Sequence, residues 1–162
     1  MMLEEEFRFL ILGAQREGNR LLAEHLAPLG LTPSQAEVLR CLADAGPLSL
    51  IALGGLLVCE TGSPSRLVNT LVEKALVARD ENPADRRQVT LRLTTEGRRL
   101  ATKVSKVEAE LYGWIRQRMG AGALAATTGH MRRFLQGTLA GDAIARRKAG
   151  SKEVRNQNAD QS

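Results

Sequence analysis

The sequence predicts a mainly α-helical fold with one small antiparallel β-hairpin, flanked by long helices. Three observations predict it. Apolar residues recur at spacings of three and four over most of the 162 residues, which is the helical period. Between residues 76 and 93 that period drops to two, as in strands. Thr/Ser–Pro start signals and Gly/Pro stop signals punctuate the chain at 28–33, 46–47 and 62–64. The length suits one domain with an extension. A hydrophobic content of 43% supports a real core, and with only 3% aromatics that core must rest on Leu, Val, Ile and Ala.

The elements follow in order. Residues 3–27 read as one long helix with Phe7, Ile11, Ala14, Gly18, Leu21 and His25 along a stripe that Leu10, Leu22 and Leu26 widen. Thr32, Pro33 and Gln35 form a capping box and a proline start for a helix that runs to Ala45. A short helix capped by Ser49 carries Leu50, Leu53, Leu56 and Leu57, with Gly54 and Gly55 loosening it. Ser63 as cap and Pro64 at the first position open the next helix, over 65–74, with Leu67, Val68, Leu71 and Val72 on its apolar face. LVARD at 76–80 and QVTLRL at 88–93 read as two strands, joined by the charged turn ENPADRR. Thr94 to Gly97 open a long helix to about Arg118, and Gly120 and Gly122 break it. A last helix is expected from Ala123 to Leu139, and the polar stretch 145–162 is expected to be a disordered basic tail.

Charge is distributed unevenly. Residues 1–60 hold four basic and eight acidic groups, a net of −4, whereas 61–99, 100–144 and 145–162 each carry +3, for a total of +5. The change of sign therefore coincides with the helix that begins near Pro64.

Three short helices followed by a charged hairpin form the layout of a winged helix-turn-helix. A recognition helix needs an apolar inner face and a small, polar or basic outer one, which enters the major groove of duplex DNA. Ser63, Ser65, Arg66, Asn69 and Thr70 meet that demand, with Arg66 suited to a guanine and Asn69 to an adenine. An ordinary solvated helix face would look the same on this helix alone. The hairpin favours the DNA reading: Arg86 and Arg87 near its tip suit the minor groove, and Asp85 is placed to orient Arg87.

The runs LTPSQAEVLRCL and SPSRLVNTLVEKALVARDENPADRRQVTLRLTTEG resemble the MarR family of bacterial transcription regulators. The DRR wing followed by Leu-Thr-x-x-Gly is the most specific part. The resemblance covers 29–99 as the winged helix-turn-helix and extends through flanking helices at 3–27 and 97–140, giving one domain over 1–144. It implies a homodimeric repressor on a palindromic operator, released by a small aromatic or anionic effector, in the cytoplasm and nucleoid of a bacterium or archaeon. Independently, the flanking helices expose more apolar surface than one small core covers, and pairing two copies removes it. Phe7, Leu10, Ile11, Phe134, Leu135 and Leu139 are the dimerisation candidates, although intrachain packing would account for any single one.

Arg16, Asn19, Arg20, His25 and Trp114 are the effector-site candidates, an inward Arg being suited to a carboxylate. A thiol-sensing repressor using Cys59 or Cys41 is the alternative. Glu60 beside Cys59 disfavours a thiolate, and Cys41 reads as a small core residue. A catalytic function is not expected, because no phosphate-binding glycine loop, metal-ligand cluster or nucleophile–base set occurs, and no cofactor or metal is implied. Nor is a membrane partner expected, since no run of about 18 apolar residues exists. The acidic N-terminus argues against export.

Overall fold

A computed structural model describes residues 1–58, 63–82 and 85–159, with the side chains of 81–82, 85–88 and 151–159 excepted. Seven helices and a three-stranded sheet are formed by the described residues. They are α1 (Leu3–Leu26), α2 (Pro33–Ala45), β1 (Leu48–Ser49), α3 (Leu50–Gly54), α4 (Pro64–Glu73), β2 (Val77–Asn82), β3 (Asp85–Leu93), α5 (Thr95–Met119), α6 (Ala121–Phe134) and α7 (Leu139–Ala159). The mainly helical class with a small β wing is borne out.

The capping box at the head of α2 is present in full. The Thr32 hydroxyl accepts the Gln35 N–H at 3.3 Å, and Gln35 Oε1 accepts the Thr32 N–H at 3.2 Å. Lys74 Nζ, at the end of α4, donates to the same Gln35 oxygen at 3.2 Å and to the Gly30 carbonyl at 2.9 Å. A local start signal thus also anchors the far end of α4.

The core gathers Leu26, Val38, Leu39, Leu53, Val68, Leu71, Val77, Leu91 and Val104, all fully buried. Each large apolar side chain taken from water contributes about 1.5–3 kcal/mol before entropy is counted. α2 is the hub, because α1, α3, α4, α5, α7 and β3 all pack on it. That explains why its buried stretch runs unbroken from Gln35 to Leu39 rather than as one stripe.

Several boundaries differ from expectation. The sheet has three strands in the order β1-β3-β2, because Leu48 pairs with Leu91 and Ser49 with Thr90. Two residues are too short a run to show a period of two. The hairpin strands extend to Asn82 and from Asp85, so both are longer than expected. α3 ends at Gly54, leaving Leu56 and Leu57 to pack from the segment after it.

The largest corrections lie at the C-terminal end. The single helix expected over Ala123–Leu139 is two helices, separated at Gly137, whose φ of +76° only glycine adopts without strain. Thr138 restarts the chain, its hydroxyl accepting the Gly141 N–H at 3.1 Å. The tail expected to be disordered from 145 is helical through Ala159, as α7, and packs on α2. Its inward face uses Ala143 and arginine stems instead of large apolar residues, so it leaves no apolar stripe to read.

Candidate nucleic-acid interface

α4 is strongly two-faced. Val68 and Leu71 are fully buried, with Leu67 and Val72 half-buried beside them. On the other side Ser63, Arg66 and Asn69 are exposed, and Ser65 and Thr70 are half-buried. Ser63 stands at the N-cap with extended backbone, but its side chain caps nothing. Instead its carbonyl accepts the N–H groups of Arg66 and Leu67, at 3.1 and 3.3 Å. Its hydroxyl is therefore not spent on the first turn, contrary to the capping role expected of it. Thr70 differs: its hydroxyl donates back to the Arg66 carbonyl at 3.2 Å, which leaves only its acceptor capacity for a ligand.

Arg79 on β2 was not among the predicted site residues, yet its guanidinium donates to Asn69 Oδ1. Arg79 pairs in register with buried Leu91, which puts it on the helix-facing side of the sheet. The strand alternation carried this signal, since Val77 and Arg79 share a phase. Arg92, opposite Ala78, lies on the other side and pairs with Asp80 across the strands. The side chains of Asp85, Arg86 and Arg87 lie outside the described residues, as do the turn at 83–84 and Cys59. The backbone of all three wing residues belongs to β3, beginning at the Asn82–Asp85 pair.

The effector-site candidates separate into two groups. His25 and Trp114 line one cleft of about 120 Å³ between α1 and α5, with Leu21, Leu22, Val107, Glu110 and Leu111. Arg16, Asn19 and Arg20 are exposed and lie outside it, and Arg20 is held by Glu17 and Glu24 on the solvated face of α1. The cationic wall expected for a carboxylate is therefore not formed by these residues. Two ionisable groups line the cleft, Glu110 and His25, and His25 Nδ1 lies 2.8 Å from the Leu21 carbonyl.

Of the dimerisation candidates, Phe7, Ile11 and Phe134 line one apolar groove. The rings of Phe7 and Phe134 pack edge to face at 5.4 Å, joining α1 to α6. Leu3 and Leu12 continue that groove beside them. Leu10 remains 63% exposed and Leu139 91% exposed, while Leu135 is half-buried.

Cys41 is buried, and burial pushes its thiol up to about 11, which suppresses the nucleophilic thiolate at neutral pH. Burial likewise raises the Glu108 carboxyl, although Arg40 stands 3.2 Å away. Among the described residues no group of His, Cys, Asp and Glu could hold a metal ion, and no helix is long and apolar enough to cross a membrane.

Residues 31–89 match the model of the MarR family. Multiple antibiotic resistance protein MarR of Escherichia coli is 36% identical over 88 residues, which are 54% of this chain and 61% of that protein. The HTH-type transcriptional regulator MhqR of Bacillus subtilis is 31% identical over 90 residues, 55% of this chain and 62% of that one. The chain thus spans about three fifths of the length of the curated relatives it matches. Among solved structures, a cysteine-to-serine variant of E. coli MarR complexed with operator DNA superposes with a TM-score of 0.73 at 28% identity, over 83% of this chain and 99% of that one. BpsR of Bordetella bronchiseptica shares the fold, with a TM-score of 0.74 at 21% identity over 84% and 97% of the two chains. The matched helix-turn-helix core, these relatives and the shared fold together make the chain similar to the MarR family of transcription regulators.

Proposed function

We propose that the chain is a sequence-specific, double-stranded-DNA-binding transcription regulator that acts as a homodimer. The carrying observation is α4: its apolar side is locked into the core while Arg66 and Asn69 face outward, with Arg79 beside Asn69. A guanidinium and an amide at that spacing are suited to base edges in the major groove. The wing residue Arg87, oriented by Asp85 and assisted by Arg86, would extend the contact to the minor groove. The similar E. coli protein solved with operator DNA supports the same reading. Symmetry then favours a palindromic operator, with the two recognition helices one turn of DNA apart.

The apolar groove of Phe7, Ile11 and Phe134, with Leu10, Leu135 and Leu139 on the same helices or the one that follows, is the surface a second copy would cover. Repression relieved by a small aromatic effector is the mode of action we favour, with His25 and Trp114 in its cleft. The apolar lining suits an aromatic body, and Glu110 disfavours an anionic group inside one subunit. Fluorescence anisotropy on duplexes tiling the DNA beside its own gene tests the proposal. At least one duplex is expected to bind more than about 1,000-fold tighter than a scrambled one, the lower range for specific binders. Equal affinity for all duplexes would overturn it.

A further inference from the structure

Among the described residues, the polar contacts of longest sequence separation converge on the segment before α4. Glu37, in the middle of α2, is a buried carboxylate, its side chain 5% exposed. Its Oε1 accepts the Val58 N–H at 2.9 Å and Arg147 Nη1 at 2.6 Å. Arg147 belongs to α7, 110 positions further along. The preceding residue of α7, Arg146, donates through Nη1 to the Gly55 carbonyl at 3.0 Å. Gly55 is the C-cap of α3, and Val58 lies five residues before the N-cap of α4. Two adjacent arginines therefore hold both ends of residues 55–58: one directly, the other through Glu37.

A buried carboxylate with no cation nearby would lose its charge or draw in water, and either would loosen its grip on the Val58 N–H. The family match ends at residue 89, yet a cation that reaches Glu37 comes from α7. Ala143, one turn before Arg147, is 4% exposed, so α7 is seated here by packing as well as by charge.

We propose that α7 is a strut for the reading head, in which Arg147 is a positioning residue acting through Glu37 to set where residues 55–58 stand and hence how α4 is presented to DNA. Neither arginine needs to touch DNA for this. The inference rests on the DNA-binding reading of α4, and its test separates the two.

The full chain is compared with Arg147→Met, which keeps the aliphatic stem, and Arg147→Lys, which keeps the charge, with circular dichroism confirming that each is folded. Amide exchange is followed residue by residue, and anisotropy is measured on the best-bound duplex and on a scrambled one. In Arg147→Met, exchange at Val58 is expected to rise about tenfold and specific affinity to fall by a similar factor, the size of effect such networks carry. Affinity for the scrambled duplex and the salt slope are expected to stay unchanged, and Arg147→Lys to recover most of the specific loss. Unchanged exchange at Val58 overturns the strut. An equal fall on both duplexes with a shallower salt slope also overturns it, making Arg147 a phosphate contact. If the wild-type chain does not distinguish the duplexes, the DNA-binding reading of α4 fails, while exchange at Val58 still decides whether Arg147 holds the segment.

Discussion

Gly97 stands so close to Leu76 that a Cβ on the glycine would lie 2.0 Å from the leucine carbonyl oxygen. The same carbonyl accepts the Thr94 N–H at 3.1 Å, and the Thr94 hydroxyl accepts the Gly97 N–H at 3.0 Å to cap α5. The long helix is thereby fastened directly to the base of the wing. Gly97→Ala is expected to cost about 3 kcal/mol or more, in the upper range for single substitutions, because backbone must move. Gly113→Ala, at an open position of the same helix with nothing within 4 Å, is expected to stabilise by about 0.5–1 kcal/mol. Equilibrium urea unfolding measures both, and similar values for the two would refute the account of this junction.

The start of α5 was legible in the sequence as Thr-Thr-Glu-Gly, though not its contact with Leu76, and so were the caps at Thr32 and Ser49 and the apolar face of α4. Each is a local signal, decided within four residues. What was not legible is tertiary. β1 is two residues whose pairing depends on where β3 passes. α7 is seated by alanine, glycine and arginine stems, which carry no apolar period. Arg79 was readable as a strand residue, but its bond to Asn69 requires knowing that β2 lies against α4. Arg16 and Arg20 failed as a carboxylate wall because the spacing of α1 marks its faces, while the side that meets α5 depends on packing.

Cys41 gives a pH prediction. Burial lifts its thiol from the ordinary 9.0 to about 11 in the folded chain. The unfolded thiol ionises first, so this group's stabilising contribution is complete below about pH 9 and is lost as pH rises towards 11. In a Cys59→Ser variant at pH 8, iodoacetamide is expected to label Cys41 only at the rate of unfolding. Rapid labelling of the native protein would show a thiol open to oxidants and revive the redox alternative.

Association is tested beside the apolar groove. Leu10→Glu places a charge on an exposed leucine next to Ile11 and close to the Phe7–Phe134 pair in sequence, so the monomer's fold is expected to survive. Sedimentation equilibrium at micromolar concentration is expected to give twice the chain mass for the wild type and the single mass for the variant. A wild-type monomer would remove the homodimer from the proposal, and an unperturbed variant would move its interface elsewhere.

On the reading helix, Arg66→Ala is expected to cost about 1–3 kcal/mol of specific affinity and to relax preference at one position per half-site. Arg79→Ala is expected to act through Asn69, whose amide oxygen loses its tether. Its effect on affinity and Asn69→Ala's should then be less than additive, as a double-mutant cycle shows. Additive losses would make Arg79 an independent contact.

Selection of bound duplexes from a random-sequence pool tests the central claim most directly. The wild-type chain is expected to enrich an inverted repeat with half-sites about 10 base pairs apart, and Arg66→Ala to blur that repeat at one position in each half. A pool that returns without a shared sequence would contradict a DNA-reading role for α4.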